Sequence, residues 1–196
     1  MPYYKSIRQL IVIFLLAFAN HSIAAPNNPP SIANNSFVIK TAEIVANEDS
    51  YLLNSDVEVK FNTDFEEALN KGFEFNFLIE FQLVTPYKYW FDDEIVTVTN
   101  KITLSYHALS RQYLLVRGDQ QKAFASLEEA KADLGQIRDL KVFTKNEVSK
   151  GEPYNAALLI RLDHSKLPKA LLEEAESADE WKMISQRFEW VPNLFK

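Results

Sequence analysis

"FEFNFLIEFQLVTPYKYWF", residues 73 to 91, decides the fold. Phe73, Phe75, Phe77, Ile79, Phe81, Leu83, Thr85, Tyr87, Tyr89 and Phe91 form one row, and Glu74, Asn76, Glu80, Gln82 and Lys88 fall in the other. Side chains of an extended chain point alternately to opposite faces, so this pattern predicts a half-buried strand with one face on a core. Pro86 has no N–H for a ladder and implies an edge position or a bulge. From Ile95 to Tyr106 the alternation continues in the opposite parity, with Val96, Val98, Ile102, Leu104 and Tyr106 apolar. A hairpin turning at Asp92-Asp93 would pair residues whose numbers sum to 185. Tyr89 then faces Val96, Leu83 faces Ile102, Phe81 faces Leu104, and the two breaks in the apolar rows, Thr85 and Asn100, meet. Asp-Asp is not a favoured two-residue turn, and a loop of odd length would flip every face.

Further strands are expected at Phe37 to Ala46, Tyr51 to Phe61, Arg111 to Arg117, Leu140 to Thr144, Tyr154 to Asp163 and Met183 to Trp190. Thr63-Asp64-Phe65-Glu66 and Ser126-Leu127-Glu128-Glu129 read as capping boxes opening two short helices, and Gly72 and Gly135 stand where those helices should end. A third helix is expected from Pro168 through Leu171, Leu172 and Ala175. Strands in series with few helices indicate a mainly β, antiparallel β-sandwich of immunoglobulin-like type with two or three connecting helices; an α+β domain is the alternative.

The first residues read as an export signal. Lys5 and Arg8 precede the apolar run Leu10 to Ala19, and Ser22-Ile23-Ala24 supplies small residues for cleavage. Ten apolar residues suit a signal sequence, whereas a membrane span needs ~20. The expected organisation is a signal peptide over residues 1–24, a flexible Pro/Asn-rich leader over 25–36 and one β-rich domain over 37–196. The chain has no cysteine, which removes a lipidated Cys anchor, disulfides and thiol chemistry. The expected location is therefore the periplasm, with no transmembrane segment after cleavage. Without Lys5 and Arg8, 19 basic residues oppose 27 acidic ones, a formal charge of −8 that argues against nucleic acid as a partner.

Catalytic signatures are missing at the level of motif. The four glycines occupy helix ends and polar turns, leaving none for a phosphate-cradling loop. His107 and His164 follow strands and lack the spacing of a metal pair, so neither a metal nor another cofactor is expected. The acidic clusters Glu48-Asp49, Glu66-Glu67, Asp92-Asp93-Glu94, Glu128-Glu129 and Glu173-Glu174 read first as solvated faces or helix starts. Trp90, in the register above, shares the face away from the core with Lys88, Thr97 and Thr99. An aromatic at a hairpin tip is a partner anchor. Lys88, Tyr89, Trp90, Asp92 and Asp93 therefore form the candidate binding site, with burial of Trp90 under a neighbouring segment as the competing reading.

The stretches "EALNKGFEFNF", "YKYWFDDE", "LSYHALSRQYLL", "FASLEEAKADLG", "IRLDHSKLPKAL" and "EWKMISQRFEW", spread from Glu67 to Trp190, resemble domain-of-unknown-function family 4390. Ala170 stands where such relatives would carry another proline, leaving the segment after it open between a helix and an extended chain. The resemblance implies an exported protein of Gram-negative bacteria, from a gene often near a nitrogen-regulation-type sensor histidine kinase, and supplies no activity or catalytic residue. Together these readings lead to a non-enzymatic binding module whose partner is an envelope protein, such as that sensor kinase. The alternatives are a carrier holding an apolar ligand between the sheets and, behind it, a hydrolase using paired acids.

Overall fold

The computed structural model describes residues 36–87, 93–169, 171 and 181–195. Nine strands and two α-helices form two antiparallel sheets among these residues. The smaller sheet holds β1 (Ser36–Asn47), β2 (Ser50–Lys60) and β7 (Gln136–Thr144) in the order β1-β2-β7. The larger contains β3 (Phe75–Thr85), β4 (Asp93–His107), β5 (Gln112–Arg117), β6 (Gln120–Phe124), β8 (Asn155–Leu162) and β9 (Phe188–Trp190) in the order β6-β5-β4-β3-β8-β9. The arrangement is the mainly β, sandwich-like one the alternation calls for. Phe37 of β1 meets Phe77 of β3 edge-on at 5.3 Å between ring centroids, and Phe81 of β3 stacks on Phe143 of β7 at 6.0 Å. Burying each such ring contributes ~1.5–3 kcal/mol, which is what holds the sheets together.

The odd row of β3, from Phe75 through Thr85, is buried throughout. The hairpin register differs from the expected one. Phe75 pairs with Leu104, Phe77 with Ile102, Phe81 with Val98 and Leu83 with Val96, so the sums are 179 rather than 185. Asn100 faces Ile79, not Thr85. The shift of six is even and keeps every face, which is why the parity was readable and the pairing was not. β3 stops at Thr85, one residue before Pro86, so the ladder is shorter than the alternation suggests. Tyr87, assigned to the core row, lies beyond the strand and is half exposed. The turn is not at Asp92-Asp93 either, because Asp93 already pairs with Thr85. Residues 86–92, an odd number, separate the two strands, and the extra residue is compensated by a bulge at Ile95, between the pairs Leu83–Val96 and Val84–Glu94.

Two helices close the ends of the core. In α1 (Thr63–Asn70) the cap is Asn62 and not Thr63: its Oδ1 accepts from Phe65 N at 2.8 Å. The helix finishes with Gly72 N donating to Leu69 O and Phe73 N to Ala68 O, at φ +94 for Gly72, a left-handed closure open to glycine. Phe65 of α1 stacks on Phe61 and Phe75 at 4.4 and 3.9 Å. In α2 (Leu127–Leu134) Ser126 caps as expected, its hydroxyl accepting from Glu129 N, while Glu129 receives Ala125 N. Of the third helix, Leu171 is buried and its N–H donates to Pro168 O; Leu172 and Ala175 lie outside the described residues.

The strand expected over Met183 to Trp190 is shorter. Only Phe188–Trp190 pair with β8, after a single bridge from Ile184 to Arg161. Between them Ser185 N donates to Ile160 O at 2.8 Å, while Ser185 Oγ takes the N–H of Ile160 at 3.0 Å, so a side chain stands in for one backbone acceptor of the ladder. Beyond Trp190 the chain crosses to the smaller sheet, where Tyr51 donates its hydroxyl to Leu194 O at 2.8 Å. That contact closes one side of the sandwich. Among the described residues, no helix is long and apolar enough to cross a membrane.

Candidate functional site

The sides of the sandwich differ. Where β4 and β5 face β7 and the end of α2, a cleft of about 480 Å³ remains. Two local features shape it. β5 ends at Arg117, and the chain reverses through Gly118-Asp119 into β6, with Gly118 at φ +55. On the other wall, β7 carries an irregularity at Arg138-Asp139, opposite Asn54 of β2. Asp139 sits at φ +52, a left-handed conformation that a non-glycine residue rarely adopts, and Asn54 Oδ1 holds it by accepting Asp139 N at 2.8 Å. The bulge turns Arg138 and Asp139 toward the cleft mouth.

Ile79, Ile102, Leu115 and Ile137 form an apolar floor, each less than a tenth exposed. Around it stand Lys101, Arg117, Lys122, Arg138 and Lys141, against only Asp133 and Asp139. Five cations and two anions line one cleft of a chain whose formal net charge is −6. Arg117 and Lys122 are engaged: Arg117 bonds both the carboxylate and, at 2.6 Å, the backbone carbonyl of Asp133, and Lys122 reaches the same carboxylate at 2.9 Å. Burial pushes the Asp133 carboxyl up, but hydrogen bonds from Lys122 and Arg117 outweigh it and leave its pKa below the usual value. Arg138 bonds Ser55 O and Ile137 O at 2.8 and 2.9 Å and pairs with Asp56. Lys101 has no ion-pair partner among the described residues, and Lys141 acts only at range, helping to lower the Glu147 carboxyl that Thr144 chiefly stabilises. The geometry suits an anion with an apolar portion: donors at the rim, hydrocarbon below.

Of the candidates from the sequence, Lys88, Tyr89, Trp90 and Asp92 lie outside the described residues. Asp93 is an exposed strand residue at the start of β4. His107 Nδ1 is 2.9 Å from Ser110 Oγ in an exposed turn, while His164 Nε2 donates to Trp181 O at 3.0 Å after β8. Among the described residues no group of three or more His, Asp or Glu could hold a metal. Three of the helix acids are occupied: Glu67 pairs with Lys71 at 3.2 Å, and Glu66 and Glu128 converge on Lys131 at 3.5 and 2.5 Å, while Glu173 and Glu174 lie outside the described residues.

The sequence reading missed the cleft because its cations come from β4, β5, β6 and β7 and meet only through the fold. One signal was available. Gly118-Asp119 after an apolar strand is a two-residue hairpin turn, and recognising it would have revealed β6 and placed Arg117 and Lys122 side by side.

A family model described as Domain of unknown function (DUF4390) matches residues 34–191. No curated protein and no solved structure matches the chain.

Proposed function

As the chain belongs to the DUF4390 family, we propose that it is an exported, non-enzymatic binding protein of the periplasm whose ligand carries negative charge beside an apolar surface. The observation that carries this reading is the gathering of Lys101, Arg117, Lys122, Arg138 and Lys141 above the Ile79–Ile102–Leu115–Ile137 floor in an acidic chain. Among the described residues, Lys101 and Lys141 are the two cleft cations with no carboxylate within ion-pair distance, so they are the ones an incoming anion would meet. An envelope protein, such as the periplasmic region of a sensor histidine kinase, is a partner in keeping with this location. A neutral apolar cargo between the sheets has less support, since the packed rings of Phe37, Phe77, Phe81 and Phe143 occupy that space. A paired-acid hydrolase has less again, since the acids of the described residues are dispersed or already paired.

The test uses the amphipathic anion 8-anilinonaphthalene-1-sulfonate, followed by fluorescence. Saturable binding at one site is expected, weakened by about tenfold or more in a Lys101→Glu, Lys141→Glu double variant, because each charge-assisted contact is worth ~1.5–3 kcal/mol. Binding indifferent to that double change overturns the reading. Osmotic-shock fractionation of cells expressing the full chain should release a product beginning near Ala25; retention of the uncut chain in the cytoplasm refutes export.

A further inference from the structure

The strand β4 runs from Asp93 to His107, yet β5 pairs only with Ile102 to His107. Beside Asp93 to Lys101 the lane that β5 occupies further along holds no strand among the described residues. The bulge at Ile95 bounds the regular part of this open edge, which is Val96 to Lys101. Its hydrogen-bonding polarity follows from the neighbouring ladders. Asn76 O accepts from Asp163 N at 2.7 Å, on the β8 side of β3, and Ile160 O accepts from Ser185 N on the β9 side of β8. Backbone groups alternate sides along an antiparallel strand. Even residues of β3 therefore bond β8, and odd ones bond β4. Through the 179 register, Val96, Val98 and Asn100 of β4 point their N–H and C=O toward β3. Thr97, Thr99 and Lys101 point theirs into the lane that holds no strand among the described residues, and all three are exposed.

That lane opens into the cleft. Lys101 belongs to both, and the opposite wall is given by the consecutive residues Gln136 to Lys141 of β7, itself an edge strand. The chemistry of an occupant follows. A segment antiparallel to β4 continues the direction of β5, so it enters at Lys101 among the cations and leaves toward Val96, near the acids Asp93 and Glu94. Its first residues should be acidic. Those after them should alternate apolar and polar, the apolar ones joining the core side with Val96 and Val98. About six residues, roughly 20 Å of extended chain, span the edge. A second copy of this chain is the poorer occupant, since two chains at −6 repel and the Ile95 bulge bends the edge.

We propose that β4 accepts a strand from a partner: an extended peptide, acidic at its N-terminal end, that pairs with Thr97, Thr99 and Lys101 and sets its acids in the cationic cleft. This rests on the cleft being an anion site and adds a mode of recognition to it. The test is fluorescence anisotropy of the native protein with fluorescein-labelled Asp-Glu-Glu-Val-Thr-Val-Thr-Val, a form N-methylated at alternate amides, and a form with Lys for each acid. The unmodified peptide should bind saturably. The N-methylated and Lys forms should each bind about tenfold more weakly or worse, as should the unmodified peptide to Thr99→Pro. Proline there removes a donor that faces the lane and none of the β3–β4 ladder, and edge strands tolerate it. Because Thr99 is outside the cleft lining, the sulfonate probe should bind Thr99→Pro unchanged. If N-methylation and Thr99→Pro both leave peptide affinity intact while the Lys form is lost, strand addition is overturned and the anion cleft survives. If the Lys form binds as well as the acidic one, the proposed occupant is wrong. A dimer of the free protein that Thr99→Pro dissolves would give the edge to a second copy and overturn the peptide. Should Thr99→Pro fail to fold, the N-methylated peptide decides on the unaltered protein.

Discussion

Replacing Gly135 by alanine should destabilise the protein, against the usual rule for such a change. Gly135 closes α2 at φ −74, ψ −6, a conformation any residue adopts. At a compatible backbone, Gly→Ala ordinarily stabilises by ~0.4–1 kcal/mol because it restricts the unfolded chain. Here the obstacle is space. An added Cβ would lie 2.1 Å from the carbonyl oxygen of Val57 in β2, and that oxygen would have to retreat by roughly 0.9 Å to reach even 3.0 Å. The atom is backbone in mid-strand, so no rotamer relieves it. The same approach carries the bond from Val57 N to Gly135 O at 2.8 Å, which fixes the end of α2 on the smaller sheet. Separating them forfeits about 1 kcal/mol of hydrogen bond and adds ~1–3 kcal/mol of overpacking strain. After the entropic gain is subtracted, a net loss of about 1–3.6 kcal/mol remains. Urea unfolding should show a lower midpoint at unchanged slope. Gly118→Ala is the contrasting control: its Cβ would meet nothing within 4 Å, and only its φ of +55 opposes the change, at ~1–2 kcal/mol. The sulfonate probe supplies a second readout, because Asp133 and Gln136 flank Gly135 in the cleft and should move with the helix end. A Gly135→Ala variant as stable as wild type, or more so, refutes the close-approach argument.

Two other stability measurements follow from the geometry. Asn62→Ala should cost about 1 kcal/mol in urea unfolding, the ordinary loss of a helix cap, while Thr63→Ala should cost a few tenths; the reverse order would restore the capping box read from the sequence. Asp133 titrates in the folded protein below its ordinary 3.8, so its contribution is fully present above that value and disappears as pH falls through the lower folded pKa. The stability gap between wild type and Asp133→Asn should thus be widest from about pH 5 upward and shrink below about pH 4; a gap that stays constant to pH 2 would show that the ion pairs do not supply it.

What the sequence disclosed was parity, and parity was enough for the faces of β3 and β4. It is conserved by any even displacement, so alternation alone cannot choose between a sum of 179 and one of 185. The alternation runs on to Phe91 while β3 ends at Thr85, so the length of the apolar row does not fix where the hairpin closes. The apparent agreement of Thr85 with Asn100 misled for the same reason: Thr85 is buried at the strand's end, and Asn100 stands at the cleft opposite Ile79, each polar for its own local cause. Elements exposed on both faces were harder to see. In β6, "QQKAF", no apolar row alternates, and only the preceding Gly118-Asp119 turn announces a strand. The cleft was harder still, since it is made of what the strands lack: β5 stops short of Lys101, β7 breaks its register at Asp139, and the unfilled space between them gathers cations scattered over forty residues of sequence. A central strand that is half paired among the described residues is an expensive arrangement for an isolated protein, because its outward N–H and C=O groups invite a partner. Where a fold leaves such an edge beside a charged cleft, the two features are most simply explained by one ligand that uses both.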